Sequence, residues 1–309
     1  MLGAVVGDIL GSIHEKIPGK NLRQEYQLTD DSFLTLAALD WINNIDALKF
    51  QYLFESNKRF SSADYNRHEN ELRQLAEQSL IKWHDIGHNT NWQNTENAIP
   101  IFSPGFEAWA ESIKQKTQSN IKHKGNTNGC LMRNSPIAFI GIQKELTLEQ
   151  VLKLSEIFCI VTHNHFDSLN AVRIHSAILY SIYKNKISPG ELKKQLAKSQ
   201  KHFFNYPIEI KTLEHWIPTD EKIKNDPGSK FIWDAKTSLD IACSAIYYSN
   251  SFQDVMDFCN GTKMDTDTYA AIAGPIAAAL WGIEASNLNI AAECIKKVPD
   301  AYNELVIYI

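Results

Sequence analysis

The sequence predicts an all-α protein. Three observations carry that prediction: apolar residues recur at helical spacing along most of the 309 residues, alternating strand patterns are nearly absent, and two strongly apolar runs each open on an acidic cluster. Thr, Ser and Asp are preferred helix N-caps, and acidic residues in a first turn face the positive end of the helix dipole.

The apolar stretch 1–13 carries Asp8, lacks a basic leader and shows no cleavage site, so it reads as a core helix and not a signal peptide. Residues 32–45 set Phe33, Leu34, Leu36, Ala37, Leu39 and Trp41 on one broad stripe. Further helical patterns cover 66–83, 106–119, 148–161, 168–184, 189–204, 237–249 and 252–260. Residues 268–282, rich in Ala, Ile and Leu, read as a buried central helix. A polar, Asn-rich connection is expected over 85–100, and a charged loop turning at Asp226-Pro227-Gly228 over 218–229. Neither reads as a domain linker, because acidic clusters that must converge lie on both sides. One domain spanning 1–309 is expected, with its early and late helices packed together.

Composition narrows the function. Lys plus Arg total 31 against 36 Asp plus Glu, a formal charge of −5, which leaves no basic field to gather duplex nucleic acid. The 44% hydrophobic content is ample for a core, yet no stretch approaches a membrane span. Cys130, Cys159, Cys243, Cys259 and Cys294 are odd in number and free of any Cys-x-x-Cys pair, which points to reduced thiols, a cytoplasmic setting and a core role for each.

The chemistry is concentrated in Thr29-Asp30-Asp31-Ser32 and Asp265-Thr266-Asp267-Thr268. Each supplies two carboxylates and hydroxyls, a hard-oxygen set suited to Mg²⁺ or Mn²⁺ and poorly suited to zinc. Taken singly, either cluster reads as a cap. A cap needs one side-chain oxygen, however, and adjacent carboxylates repel, so a surplus found twice points to a cation. Gly7-Asp8-Ile9-Leu10-Gly11, running into Glu15, adds acid inside an apolar segment, where a carboxylate is costly without a partner.

These blocks resemble the ADP-ribosylglycohydrolase family. Gly7-Asp8-x-x-Gly11-x-x-x-Glu15, Thr29-Asp30-Asp31-Ser32-x-x-Thr35-Leu36-Ala37 and Asp265-Thr266-Asp267-Thr268 before Ala270-Ala271-Ile272-Ala273-Gly274 match in order and spacing. Between them, Phe102-x-x-Gly105-Phe106-x-x-Trp109, Asn128-Gly129-Cys130-Leu131-Met132-Arg133-x-x-Pro136-Ile137 and Thr162-His163-Asn164-His165 look like further family blocks. The resemblance implies a compact all-α fold with a central two-metal site of Mg²⁺ or Mn²⁺, hydrolysing the glycosidic bond of an ADP-ribosylated substrate to release ADP-ribose. By the same resemblance, Thr29, Asp30 and Asp31 would hold one ion, and Asp265, Asp267 and Thr268 the other, with Asp267 able to bridge and Glu15 near the second. Glu15, Asp30 and Asp267 are then the candidate catalytic residues, Glu15 moving protons beside the anomeric carbon. A salt bridge from Glu15 to Lys16 or a neighbouring Arg is its structural alternative.

Candidate substrate contacts follow in the middle blocks. Asn128, Gly129 and Cys130 can turn backbone N–H groups toward a diphosphate, although a plain turn before a helix explains them nearly as well. Cys130 stands where Ser is more usual. Met132 lies in the same block, and Arg133 reads equally as a phosphate partner or a buried ion-pair partner. His163 and His165 are structural histidines by default, since an oxygen-rich site needs no imidazole, and the resemblance places them near the ribose or adenine. Phe102, Phe106 and Trp109 can stack on adenine or simply pack. Lys263-Met264 replaces a Gly-Gly pair common in the family, which predicts altered substrate preference.

The implied partner is an ADP-ribosylated protein or small molecule, with a nucleic-acid end also open and no membrane. The acceptor, whether arginine, serine or another group, is set by loops that patterns do not resolve. A non-catalytic ADP-ribose-binding or structural relative is the alternative. A prenyl-diphosphate-ionising α-helical enzyme is the third reading, disfavoured because Leu34 and Thr35 stand where its acidic face would continue.

Overall fold

The computed structural model describes residues 1–15, 23, 25–45, 62–90, 101–116, 125–198, 206–217 and 233–308, with the side chains of 62–65 outside that set. Helices in order are α1 (Leu2–Ser12), α2 (Asp30–Asn44), α3 (Ser62–His88), α4 (Pro104–Lys114), α5 (Ser135–Gln143), α6 (Leu148–Ile160) and α7 (Phe166–Asn185). They continue as α8 (Pro189–Lys198), α9 (Leu213–Trp216), α10 (Ala235–Tyr248), α11 (Phe252–Gly261), α12 (Thr266–Trp281), α13 (Ala285–Lys296) and α14 (Pro299–Leu305). Among the described residues the one strand-like pairing is an isolated bridge, Thr127 to Asp234. None of the described helices is long and apolar enough to cross a membrane.

The chain's ends meet at its centre, because α1 lies along α12 at near-backbone distance. Gly3, Gly7 and Gly11 recur every fourth residue and so share a face of α1. A Cβ on Gly7 would stand 2.2 Å from the Ala270 carbonyl oxygen, and one on Gly11 only 2.5 Å from the Asp267 Cα. Gly274 of α12 answers in kind, approaching the Gly3 carbonyl. Around this crossing α2 packs on α3, while α7, α10 and α11 cover α12. Trp41 of α2 is wholly buried, donates its indole N–H to the Leu72 carbonyl at 3.0 Å and lies 4.9 Å from the Phe158 ring. The five cysteines are buried and unpaired.

The observed helices differ from the expected ones mainly at their edges and in the short elements. Helix α3 runs to His88, so the connection expected from residue 85 begins later; its last turn is held by polar side chains, which hydropathy reads as loop. Helix α5 was not expected, because its nine residues are buried nearly all round and show no stripe. Helices α13 and α14 were also missed. The charged stretch 218–229 and residues 91–100 and 199–205 lie outside the described residues.

The glycine contact makes a stability prediction. Gly7→Ala is expected to cost about 3 kcal/mol, the upper end of ordinary overpacking, because backbone and not a flexible side chain stands in the way. Gly190→Ala, with nothing within 4 Å of its Cβ, is the control. Denaturant unfolding of both variants checks this, and equal midpoints would refute the close crossing.

Candidate metal centre

Asp8 explains how a buried acid is tolerated in α1. Its Oδ2 accepts the backbone N–H of Thr29 at 2.9 Å and of Ser32 at 3.2 Å, and its Oδ1 accepts the Thr29 hydroxyl at 2.6 Å. The Ser32 hydroxyl completes the set. Asp8 thus satisfies free N–H groups at the start of α2 from another helix, while Thr29 caps α2 locally by accepting the Asp31 N–H at 3.3 Å. Burial first, and Asp267 second, still push the Asp8 carboxyl up to about 7.

The first turn of α12 arrives opposite. Asp31 Oδ2 accepts the Thr268 hydroxyl at 3.2 Å, joining the two acidic clusters across the crossing. Asp267 Oδ1 accepts the Thr268 N–H at 2.9 Å. Asp265 Oδ2 accepts the Asn128 amide at 2.6 Å, and that amide also reaches Ser238 of α10 at 3.0 Å. Two sets of carboxylate oxygens result, Asp8–Asp31–Asp267 and Glu15–Asp265–Asp267, each within 4.8 Å, and Asp267 belongs to both.

Asp31 Oδ1 is buried and has no hydrogen-bond partner. An orphaned carboxylate oxygen facing further carboxylates is costly unless a cation completes it. Burial and then Asp267 hold Asp31, Asp265 and Glu15 well above the usual carboxylate range. Asp30 keeps partial solvent contact, yet its dense surroundings, Asp267 and Asp8 push it to about 8. The donors are all oxygens, so the residues fit a hard divalent cation such as Mg²⁺ or Mn²⁺.

Arg23 enters this cluster. Its guanidinium bonds Glu15 and lies 3.4 Å from Asp267 Oδ2 and 3.4 Å from the Ser12 carbonyl. A neighbouring Arg was the structural alternative for Glu15, but Arg23 itself was not singled out; its signal was an arginine placed between two acidic blocks. Lys16 lies outside the described residues.

The remaining candidates divide between the rim and the core. Asn128, Gly129 and Cys130 form a 3₁₀ turn held to α10, where the Ala235 N–H bonds the Asn126 carbonyl at 2.7 Å. His163 packs over that turn, with Nε2 2.7 Å from the Thr127 hydroxyl and Nδ1 2.8 Å from the Thr162 hydroxyl. His165 caps α7 by accepting the Asp167 N–H at 3.2 Å. Met132 and Phe102 are buried, Phe102 against Phe33, and Phe106 and Trp109 pack beside it. Arg133 is fully buried, bonds Thr162 and lies over the Phe158 ring at 5.2 Å. Lys263 is exposed with φ 59°, and Met264 is buried.

An all-α fold around a buried, oxygen-only acidic centre built from two helix N-termini defines the class of protein. The chain belongs to the ADP-ribosylglycohydrolase family, whose profile matches residues 1–306. It is 24% identical over 285 residues to the ADP-ribosylarginine hydrolase Tri1 of Pseudomonas putida (strain GB-1), covering 92% of this chain and 70% of that protein. A solved ADP-ribosylglycohydrolase-related protein complex shares the fold with a TM-score of 0.57 at 16% identity, covering 98% of this chain and 95% of that one.

The crowded carboxylates set a pH dependence for the metal-free protein. Unfolded, Asp8 and Asp30 ionise near 3.8; folded, they keep their protons up to about 7 and about 8, so their contribution to stability falls as pH rises. His175, held down to about 4 by burial, acts in the opposite sense below its ordinary 6.5. The Met1 amino group, held down to about 5 by burial, does so below 8.0, one group against the five raised carboxyls of the centre. Stability of chelated protein is therefore expected to decline between pH 6.5 and about 8, and Mg²⁺ or Mn²⁺ to reduce that decline. Thermal unfolding across this window checks it, and a rising Tm in chelator would overturn it.

Proposed function

We propose that this protein is a divalent-metal-dependent hydrolase that cleaves the glycosidic bond between the ribose of an ADP-ribosyl group and its acceptor, releasing ADP-ribose. The observation that carries this reading is the orphaned Asp31 Oδ1 among converging carboxylates. Family membership supports the substrate class, and the likeness to an ADP-ribosylarginine hydrolase makes arginine the first acceptor to test.

Thr29, Asp30, Asp31 and Asp267 would hold one ion, and Asp265, Asp267, Thr268 and Glu15 the other. A charge balance supports two. Asp8, Glu15, Asp30, Asp31, Asp265 and Asp267 face one guanidinium and two helix ends worth roughly half a charge each, which leaves about four negative charges. Bound divalent ions supply Lewis acidity, fixing ribose hydroxyls and acidifying a water.

The chain's own residues do the rest. Glu15 lies at the edge of the cluster with its side chain 15% exposed, where it can accept a proton from the attacking water and oppose positive charge on the anomeric carbon. Arg23 holds Glu15 in place, Asn128 orients Asp265, and Asp8 fixes the first turn of α2. Lys263 and the Asn128–Cys130 turn, with His163 over it, are the proposed contacts to the diphosphate and ribose. A single domain over 1–309 and a cytoplasmic setting, where five thiols stay reduced, belong to the same reading.

Release of ADP-ribose from an arginine-ADP-ribosylated peptide tests it, with serine- and nucleic-acid-linked substrates beside it. Chelation, Asp31→Asn and Asp267→Ala are each expected to abolish release while far-UV circular dichroism stays helical. Asn128→Ala, which removes an orienting bond to a metal carboxylate, should cost about 10–100-fold in metal affinity or turnover. Full turnover in chelator would sink the metal mechanism; ADP-ribose binding without release from any substrate would favour the binding-only alternative.

A further inference from the structure

We propose that His84, His88 and Glu107 form a second metal site, nitrogen-rich and suited to Zn²⁺ or a similar borderline divalent ion. It shares no residue with the acidic centre. His84 and His88 stand one turn apart on the last turns of α3 and so project from one face, and Glu107 meets them from the first turn of α4. Their donor atoms converge: His84 Nε2 is 2.9 Å from Glu107 Oε2, His88 Nε2 is 2.8 Å from Glu107 Oε1, and the two Nε2 atoms are 3.2 Å apart.

Protons alone do not satisfy this triangle. A neutral imidazole has one N–H. If both Nε2 atoms carry it and donate to Glu107, two N–H groups face each other across 3.2 Å with no acceptor between them. If one Nε2 is bare, its lone pair faces a carboxylate oxygen instead. At most two of the three contacts are satisfied in either case, whereas a cation among the three atoms satisfies them all. Tetrahedral zinc with bonds of about 2.0–2.1 Å sets its ligand atoms about 3.3 Å apart, close to the observed nitrogen separation. The imidazole–carboxylate pairs would open by about half an ångström to match.

The surroundings have the form of a metal site. His84 is buried, and its Nδ1 lies 3.2 Å from Asp85 Oδ1, with Asp85 in turn bonded by Lys114. The Lys114 ammonium lies 3.5 Å from the same Nδ1, but the closer carboxylate favours a proton there, which would leave the Nε2 lone pair for a metal. Phe102 backs both rings, at 4.8 Å from His84 and 5.5 Å from His88, which fixes their orientation against an apolar wall. The side chains of His88 and Glu107 are 38% and 36% exposed, so an ion has a route in and a face open to water. Two imidazoles and one carboxylate favour borderline ions over Mg²⁺, the reverse of the oxygen-only centre. A bound ion would clamp the end of α3 to α4, across the connection that joins them.

The test is zinc binding by the intact protein in saturating Mg²⁺, followed by titration calorimetry and by electron paramagnetic resonance with Cu²⁺ as the probe. One zinc per chain and nitrogen hyperfine splitting are expected for the wild type. His88→Gln and Glu107→Gln, both at partly exposed positions, should each weaken zinc binding by about tenfold or more, His88→Gln simplifying the nitrogen pattern, with Mn²⁺ binding at the acidic centre unchanged. Absence of zinc uptake by folded wild-type protein, or zinc affinity in both variants equal to that of the wild type, would overturn the proposal.

Discussion

Everything at the acidic centre depends on how closely α1 approaches α12. With glycine at Gly3, Gly7 and Gly11, backbone meets backbone, and the first turn of α12 comes to rest at the end of α1. Asp267 then stands beside both Glu15 and Asp31, although hundreds of residues of chain intervene. A larger residue at Gly7 or Gly11 would push the helices apart by about 1 Å, roughly half a metal–ligand bond. The glycine face is therefore as much a part of the site as its carboxylates, and it is a packing device and not a flexible one.

The same crossing sets the electrostatics. Two helix N-termini point at one buried spot, and both donate free N–H groups there: Thr29 and Ser32 to Asp8, Thr268 to Asp267. Those bonds orient carboxylates without neutralising them, which is why burial still drives Asp8, Asp30, Asp31 and Asp265 upward. Asp8 spends both oxygens on hydrogen bonds, whereas Asp31 leaves one free. Acids of the same kind thus stand differently, Asp8 as a strap and Asp31 with an oxygen left for the proposed cation, and the difference lies in their partners.

Much of this was legible in the sequence. The all-α fold followed from spacing, and the two clusters announced themselves as a surplus of acid over what a cap uses. The position of Asp8 in an apolar run also flagged a partner, which proves to be the start of α2. What spacing did not disclose was tertiary. The backbone of the Asn128 turn is read toward a diphosphate, whereas the bond from its side-chain amide to Asp265, a relation across more than a hundred residues, has no signature in spacing. Arg133 and Met132 follow a turn whose Thr127 and Gly129 reach the surface, yet both are buried, because the chain from Cys130 to Ser135 runs continuously through the core. The imidazole pair on α3 escaped because its polar last turn resembles a loop until Glu107 is seen opposite.

Substrate choice is best sought at the rim. On the proposed reading the acidic centre would address the ADP-ribosyl group, which every acceptor shares, so the centre itself could not distinguish one acceptor from another. Lys263 is the departure nearest to it: a side chain in left-handed backbone, at a cost of roughly 1 kcal/mol relative to glycine, two residues before Asp265. Its neighbour Met264 turns inward and packs, while Lys263 remains exposed. The replacement therefore leaves the carboxylates where the crossing puts them and adds an exposed positive charge two residues before Asp265. On the proposed reading a cation there would favour the anionic diphosphate and disfavour a cationic leaving group such as arginine, so one residue would both strengthen the grip on the handle and weigh against one acceptor.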